Sequence, residues 1–141
     1  AGELPVDGVR ELEEELGVVA DPNDLVLLGE RRLVDDSGEG QLNKELTSVF
    51  ILRDDRPLDG YVLQTSEVDA VFDAPISGLL QLFAGDLDTI ELSGVQHAGS
   101  PDAYPVSISA NLEDFVPGDS YWVNLFVMCE RFLNGEQPLA I

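Results

Sequence analysis

Residues 10–18 read Arg10-Glu11-Leu12-Glu13-Glu14-Glu15-Leu16-Gly17-Val18 and contain the most informative pattern of this chain. Wound as an α-helix, it places Glu11, Glu14 and Glu15 on one face, because residues three and four positions apart are neighbours on a helix. Asp7 joins this face one turn earlier. The opposite face is apolar and carries Val9, Leu12 and Leu16. The helix therefore has one side to bury and one side of carboxylates.

The carboxylate face needs a compensating charge. Like charges at these spacings cost about 0.2–0.5 kcal/mol per pair, and Glu14 and Glu15 also lie near the negative end of the helix dipole. A hard divalent cation such as Mg²⁺ would offset this repulsion, because it binds carboxylate oxygens and fills its other positions with water or phosphate oxygens. A solvated acidic face in an acidic protein explains the same pattern. Spacing alone leaves both interpretations open.

The same nine residues read R-E-U-x-E-E-x-G-U, where U is a bulky aliphatic residue. This resembles the second half of the Nudix box, G-x5-E-x7-R-E-U-x-E-E-x-G-U, and all seven specified positions match. In that family the box is a loop-helix-loop whose glutamates hold Mg²⁺ or Mn²⁺ against a pyrophosphate. The resemblance implies that Glu11, Glu14 and Glu15 are metal ligands and that Arg10 orients loop carboxylates. Glu13 is the variable position and should face elsewhere.

The first half of the box matches less well. Gly2-Glu3 resembles its Gly-Glu end, but six residues instead of seven separate Glu3 from Arg10. The opening glycine of the box would lie before Ala1, where we also expect the family's N-terminal strands. Residues 1–141 are therefore expected to be the C-terminal portion of a single Nudix domain, starting inside the box.

Composition limits the partners of the protein. The 141 residues contain 28 acids against 7 bases, a formal charge of −21, and 44% apolar residues. This argues against nucleic acid or an anionic membrane as a partner, and a diphosphate would need a metal ion to bind. A lone cysteine excludes an intrachain disulfide, and we identify neither a leader nor a long apolar run. We expect a cytoplasmic protein that acts on a small-molecule diphosphate.

Residue patterns predict the order of the elements. A first helix should begin near Pro5 and end at Leu16, with Gly17 as its left-handed cap. Residues 25–28 and 31–34 are predicted to be one strand or two interrupted at Gly29. The other predicted extended segments are 46–52, 61–63, 67–72, 88–95 and 106–109, and a short helix closed by Gly85 is predicted over 76–83. This order predicts an α/β fold, and the Nudix resemblance implies an α/β/α sandwich with a mixed sheet. Segment 46–52 is apolar on both faces, as in a central strand.

The last predicted helix follows Pro117-Gly118 and is capped by Asp119 or Ser120. Its apolar positions recur at helical spacing and are Trp122, Leu125, Phe126, Cys129, Phe132 and Leu133. The helix should bury Trp122, Leu125, Phe126 and Cys129 together. The stripe is wide enough for part of it to form a homodimer contact.

The resemblance extends beyond the box to residues 43–50, the Pro57-Leu58 turn and residues 131–141. These segments are similar to the isopentenyl-diphosphate-isomerase-like branch of the family. In true isomerases a glutamate just before the central strand reaches the metal, and Glu45 occupies the matching place; the acid two residues earlier is Asn43 here. A salt bridge from Glu45 to Lys44 or Arg32 is the alternative role.

True isomerases tend to lack the full double-glutamate box, whereas hydrolysis uses it. The resemblance therefore implies a Mg²⁺-dependent hydrolase of a nucleoside diphosphate linked to another group, or of a similar diphosphate. Glu14, Glu15 and Glu67 are open candidates for the general base. The alternatives are an isomerase-like enzyme and a non-catalytic Nudix-like binding scaffold.

Few cations are present to bind phosphate. Arg31, Arg32 and Lys44 are predicted near the box, but alternation sends the two arginines to opposite faces of a strand, so only one of them can serve. Arg32 and Lys44 are the predicted phosphate ligands. His97 is expected to be an exposed loop residue and Cys129 a buried small hydrophobe.

Overall fold

The computed structural model describes residues 4–36 and 42–141. Helix α1 spans Pro5–Leu16, with proline in its first turn, and ends at Gly17, whose φ of 67° is left-handed. The Asp7 carboxylate caps the start of the helix by accepting a hydrogen bond from the Leu4 backbone N–H at 3.1 Å. The predicted bounds of this helix are confirmed.

Strands β1 (Val26–Asp36) and β2 (Leu42–Ile51) form an antiparallel hairpin. β1 is one continuous strand, the first of the two alternatives that the sequence leaves open, and its pairing is irregular between Leu27 and Gly29. The chain end lies against this irregularity, because the Ile141 N–H donates to the Leu28 carbonyl at 3.0 Å. Gly29, with a φ of 147°, leaves room for that approach.

A second sheet is formed by β3 (Ala70–Asp73), β4 (Ile90–Gln96) and β5 (Tyr104–Ala110), in that order and antiparallel throughout. Helix α2 (Ile76–Ala84) connects β3 to β4 and ends at Gly85, as predicted. Helix α3 (Tyr121–Leu133) follows β5. None of the helices in the described ranges is long and apolar enough to cross a membrane.

The α/β class is confirmed, and its strand arrangement differs in one respect from the expected mixed sheet. Every strand pair in the described residues is antiparallel, and β2 pairs there only with β1. The β1–β2 and β4–β5 connections are too short for the crossover of a dozen or more residues that a parallel pair requires, and the longer β3–β4 connection, which contains α2, also joins an antiparallel pair. The residues of β2 are half-buried, and this explains why both of its faces are apolar. Among the described residues β2 does not have a neighbouring strand on each side.

The core lies between the second sheet and helices α2 and α3. Leu82 is fully buried at 0% exposure, and the other core residues are Leu79, Ile90, Leu92, Ala110 and Phe126. Phe83 packs edge-on against Phe126 with ring centroids 5.5 Å apart. Four α3 residues were expected to be buried together, but only Phe126 is fully buried. Trp122, Leu125 and Cys129 are half-buried. The homodimer contact on α3 stays a prediction.

Candidate functional site

The three box glutamates Glu11, Glu14 and Glu15 lie on α1 and are all solvent-exposed. The last turn of α1 contains no basic residue to offset them or the helix dipole. The Arg10 guanidinium lies 3.8 Å from Asp7 Oδ1, and its side chain is 62% exposed. Asp7 lies on α1 one turn before Glu11, and its carboxylate accepts the Leu4 N–H and lies near Arg10.

A divalent cation matches the chemistry of these side chains, because carboxylate oxygens are its preferred ligands. The described residues do not, however, bring three or more Asp, Glu, His or Cys side chains together into a metal-binding group. Carboxylates on one helix diverge from its axis and repel one another. The donors are thus suitable and accessible, and binding would require them to turn toward a shared ion.

The end of α1 is held by residues 62–64, which follow a short helical turn at Leu58–Gly60. The Val62 N–H donates to the Leu16 carbonyl at 3.0 Å, and the Gln64 N–H donates to the Glu15 carbonyl at 2.9 Å. Gly17 permits this contact, since a Cβ there would lie 2.7 Å from the Val62 Cβ. The last carbonyls of the helix are therefore satisfied by a neighbouring segment of the chain.

Glu67, one candidate base, lies in a turn attached to this same segment. Its N–H donates to the Gln64 carbonyl at 2.9 Å, and Gln64 in turn contacts Glu15 through the backbone. The structure thus places the Glu67 turn beside the last residues of the box helix. The Glu67 side chain is exposed.

A cavity of about 420 Å³ lies between α1 and β2. Its lining is mostly apolar and includes Glu11, but neither Glu14 nor Glu15. The lining residues are Gly8, Glu11, Leu12, Leu16, Val18, Leu25, Thr47, Ser48, Phe50, Leu52, Asp54 and Tyr61. Gly8 forms part of the wall, since a Cβ there would lie 3.6 Å from Leu25 Cδ1 and 3.8 Å from Phe50 Cδ2.

Asp54, Arg56 and Tyr61 form a cluster at this cavity. Asp54 Oδ1 accepts hydrogen bonds from the Arg56 backbone N–H at 3.1 Å and from Arg56 Nε at 2.9 Å. The guanidinium also lies over the Tyr61 ring, 5.4 Å from its centroid. Burial, with a smaller contribution from the Asp54 charge, raises the pKa of Tyr61 above its ordinary value, so its hydroxyl stays protonated at neutral pH.

The predicted phosphate-binding cations occupy different places. Arg31 packs against α3, where its Nη2 donates to the Pro117 carbonyl at 3.0 Å and its guanidinium lies 4.0 Å from the Tyr121 ring centroid. Arg32 is exposed and pairs across the hairpin with Leu46. Alternation places Arg32 on the same sheet face as Phe50, the face toward α1. The side chain of Lys44 lies outside the described part of the chain.

Glu45 is exposed on β2 and pairs with Leu33. By strand alternation it shares a face with Thr47 and Val49, opposite the face of Phe50 that meets Gly8. The described residues do not place Glu45 in a group with the box glutamates. Glu3, the remaining acid of the box motif, lies outside the described residues.

His97 is not the exposed loop residue that the sequence predicts. It is half-buried, with its ring edge-on to Tyr104 at 6.2 Å, and its Nδ1 has no hydrogen-bond partner within the described structure. Its backbone N–H donates to the Asp69 carbonyl at 2.8 Å. This contact fixes the loop after β4 to the segment before β3.

The cavity and its Asp54-Arg56-Tyr61 cluster were not predicted as a unit. The sequence shows residues 53–60 only as a polar turn and Gly8 only as a helix position that calls for tight packing. The one available signal is the Asp-x-Arg spacing of the turn, which permits a local ion pair. Only tertiary contacts place this pair beside α1.

Comparison with known proteins agrees with the box. The chain is 31% identical over 117 residues to an uncharacterized Nudix hydrolase of Clostridium acetobutylicum, covering 83% of this chain and 56% of the relative. No protein-family profile and no solved structure matches the chain. This similarity supports membership of the Nudix hydrolase family. The chain spans little more than half the length of this relative.

Proposed function

We propose that this protein is a Mg²⁺-dependent or Mn²⁺-dependent Nudix pyrophosphohydrolase. The observation that carries the proposal is the complete set of exposed box glutamates, Glu11, Glu14 and Glu15, on one face of α1, in a chain related to a Nudix hydrolase. The substrate is a nucleoside diphosphate linked to another group, or a similar diphosphate. In a chain with a formal charge of −21, such an anion requires a cation to bind.

Each side chain has a proposed role. Glu11, Glu14 and Glu15 would hold the divalent ion, and Glu45 on β2 is a further proposed ligand. When bound, such an ion would supply positive charge against the diphosphate and against the charge that develops during hydrolysis. Arg10 orients carboxylates of the box, and Arg32 and Lys44 bind substrate phosphate.

The general base is one of three carboxylates. Glu14 and Glu15 belong to the box itself, and the Glu67 turn is fixed to the carbonyl end of α1 through Gln64. All three side chains are exposed and accessible to water. Whichever carboxylate serves takes a proton from the attacking water as that water approaches phosphorus.

The test is phosphate release from a panel of diphosphate compounds, measured with Mg²⁺, with Mn²⁺ and with a chelator, on protein with its natural N-terminus. We expect metal-dependent release of phosphate or a phosphate monoester from at least one diphosphate. Isomerisation of a prenyl diphosphate without hydrolysis would contradict the proposal and favour the isomerase-like alternative. Binding without turnover would favour a scaffold, which the intact second half of the box argues against.

A further inference from the structure

Strand β5 forms one edge of the second sheet. Among the described residues it pairs with β4 alone, and no backbone hydrogen bond from outside the sheet reaches residues 104–110. All of these residues are exposed except Val106, which is half-buried, and Ala110, which is buried. An edge strand presents a row of N–H and C=O groups with which another strand can pair. β5 therefore offers an edge at which the sheet can be extended.

The composition of β5 differs from that of the other described strands. It reads YPVSISA and contains no charged residue, although charged residues make up 25% of the chain. Each of the other four strands that the structure describes contains at least one charged residue. Charged side chains on an edge strand are a common protection against pairing with a second chain. β5 lacks this protection.

The other strand edges of the described chain are less suitable for pairing. The chain end lies against β1, because the Ile141 N–H donates to the Leu28 carbonyl. β2 contains Lys44 and Glu45, and β3 is four residues long and ends in Asp73. Within residues 4–36 and 42–141, β5 is thus the edge that a further strand can approach with the least electrostatic resistance.

One face of β5 has apolar surface left to bury. Its pairing places Ile108 opposite Leu92 of the core, and alternation puts Tyr104 and Val106 on the same face. Tyr104 is nevertheless 51% exposed and Ile108 36% exposed, because no strand lies beyond them in the described structure. A further strand would cover this apolar surface, which is favourable.

The charge of the chain favours a second copy as the occupant of this edge. Two copies with a formal charge of −21 each can approach closely only through a surface without charge, and β5 supplies such a surface on both. A strand can also pair with its own copy in antiparallel orientation, since a two-fold axis places the N–H and C=O groups of each copy opposite those of the other.

We propose that β5 pairs with β5 of a second copy of the chain about a two-fold axis at Ser107, which joins the two sheets into one. Pro105 determines the backbone groups involved. A proline in a strand directs the position of its missing N–H away from the ladder, so residues 105, 107 and 109 face the second copy. The two Ser107 residues then exchange N–H···O bonds, each Ser109 N–H donates to a Pro105 carbonyl, and Ile108 packs against Val106 of the other copy.

Disulfide trapping tests the register of this pair. The two Ser107 Cα atoms would lie about 5.5 Å apart, within the range of a disulfide. The two Ser109 Cα atoms would lie about 14 Å apart along the strands, and the two Ser93 Cα atoms on β4 about 15 Å apart across them. In a Cys129→Ala background, Ser107→Cys should form a disulfide-linked dimer under mild oxidation, and Ser109→Cys and Ser93→Cys should do so about tenfold more slowly or less. Intact mass under non-reducing conditions follows the reaction.

Ser107→Asp and Ser93→Asp form a matched pair for a second test. The two serines are exposed, lie opposite each other on one face of the sheet and gain the same charge. In Ser107→Asp the added carboxylate faces its counterpart across the axis, and like charges directly opposite destabilise a sheet. This variant should raise the dissociation constant of the dimer about fivefold or more, whereas Ser93→Asp should change it little.

The dissociation constant is measured by sedimentation on protein with its natural N-terminus. It should fall between about 0.1 M and about 1 M KCl, because salt screens the repulsion between the two acidic chains. A monomer throughout this series would overturn the proposal, whether or not a segment outside residues 1–141 covers β5. A dimer that is equally stable in Ser107→Asp, or whose disulfide forms more readily at position 109 or 93, would place the contact elsewhere, as on α3, and would overturn it as well.

Discussion

Three consecutive glutamates in the box helix provide an internal comparison at the scale of single residues. Helical spacing places Glu14 and Glu15 with Glu11, whereas Glu13 faces another direction. In metal-free protein, Glu14→Gln and Glu15→Gln should leave the melting temperature unchanged or slightly raised, because each removes a repulsive charge. Added Mg²⁺ should raise the melting temperature of the unmodified protein by binding linkage, and this increase should be largely lost in both variants.

Glu13→Gln is the control for this experiment, measured by thermal denaturation with and without Mg²⁺. It changes the net charge by the same amount one position away and should keep the metal response. Any pyrophosphate hydrolysis should likewise fall by orders of magnitude in the Glu14 and Glu15 variants and survive in Glu13→Gln. Equal small losses at all three positions would indicate a diffuse acidic surface in place of a metal site.

The thiol of Cys129 offers a pH-dependent test on α3. Burial raises the pKa of this thiol above its ordinary value, which lowers its thiolate fraction at any given pH. Alkylation by iodoacetamide at pH 8 should therefore be slower than for a cysteine in an unfolded peptide, and its rate should keep rising above pH 9. The rate is followed by mass spectrometry, with urea-unfolded protein as the reference. Equal rates in folded and unfolded protein would show that the thiol is freely exposed.

At the scale of elements, Gly17 connects the end of α1 to the segment that carries Val62 and Gln64. Gly17→Ala combines the strain of a φ of 67° with a contact of 2.7 Å to the Val62 Cβ. We expect a loss of about 2 kcal/mol or more in the free energy of unfolding, measured by urea denaturation. The substitution should also displace the turn of Glu67.

Gly85→Ala separates the strain of a left-handed backbone from the cost of the Val62 contact. Gly85 caps α2 with a φ of 82°, and nothing lies within 4 Å of a Cβ built there. Gly85→Ala should therefore cost only about 1 kcal/mol, the strain of the left-handed backbone. If both alanine variants lose the same stability, the Val62 contact relaxes without cost and the docking of residues 62–64 against α1 is loose.

For the whole molecule, the dominant electrostatic fact is the formal charge of −21. Such an excess of one sign destabilises the compact state by self-repulsion, which salt screens by shortening the Debye length from about 10 Å at 0.1 M to about 3 Å at 1 M. We expect the melting temperature to rise between low salt and 1 M KCl. An osmotically matched sucrose series controls for solute exclusion, and an unchanged melting temperature in KCl would show that the charges are too dispersed to destabilise the fold.

The sequence by itself determined the elements whose signals are local. Pro5, the i, i+3, i+4 pattern and Gly17 define α1 to the residue, and Gly85 defines the end of α2 to within one residue. The box motif also indicated the family of the similar hydrolase, because its seven specified residues lie within nine consecutive positions and need no tertiary contact to be recognised. Helix caps and short motifs depend on neighbouring residues, which is why they can be predicted.

Only the tertiary structure decided how these elements meet. It placed Arg31 against Tyr121 and joined the Gln64 backbone to the Glu15 carbonyl. Asp54 and Tyr61 line the cavity between α1 and β2 for the same reason. The tertiary structure also buried the Nδ1 atom of His97, which lies in a polar loop that the sequence indicates to be exposed. These contacts join residues far apart in the chain, and they arise because backbone groups and apolar surfaces find their partners only after the sheets and helices have packed.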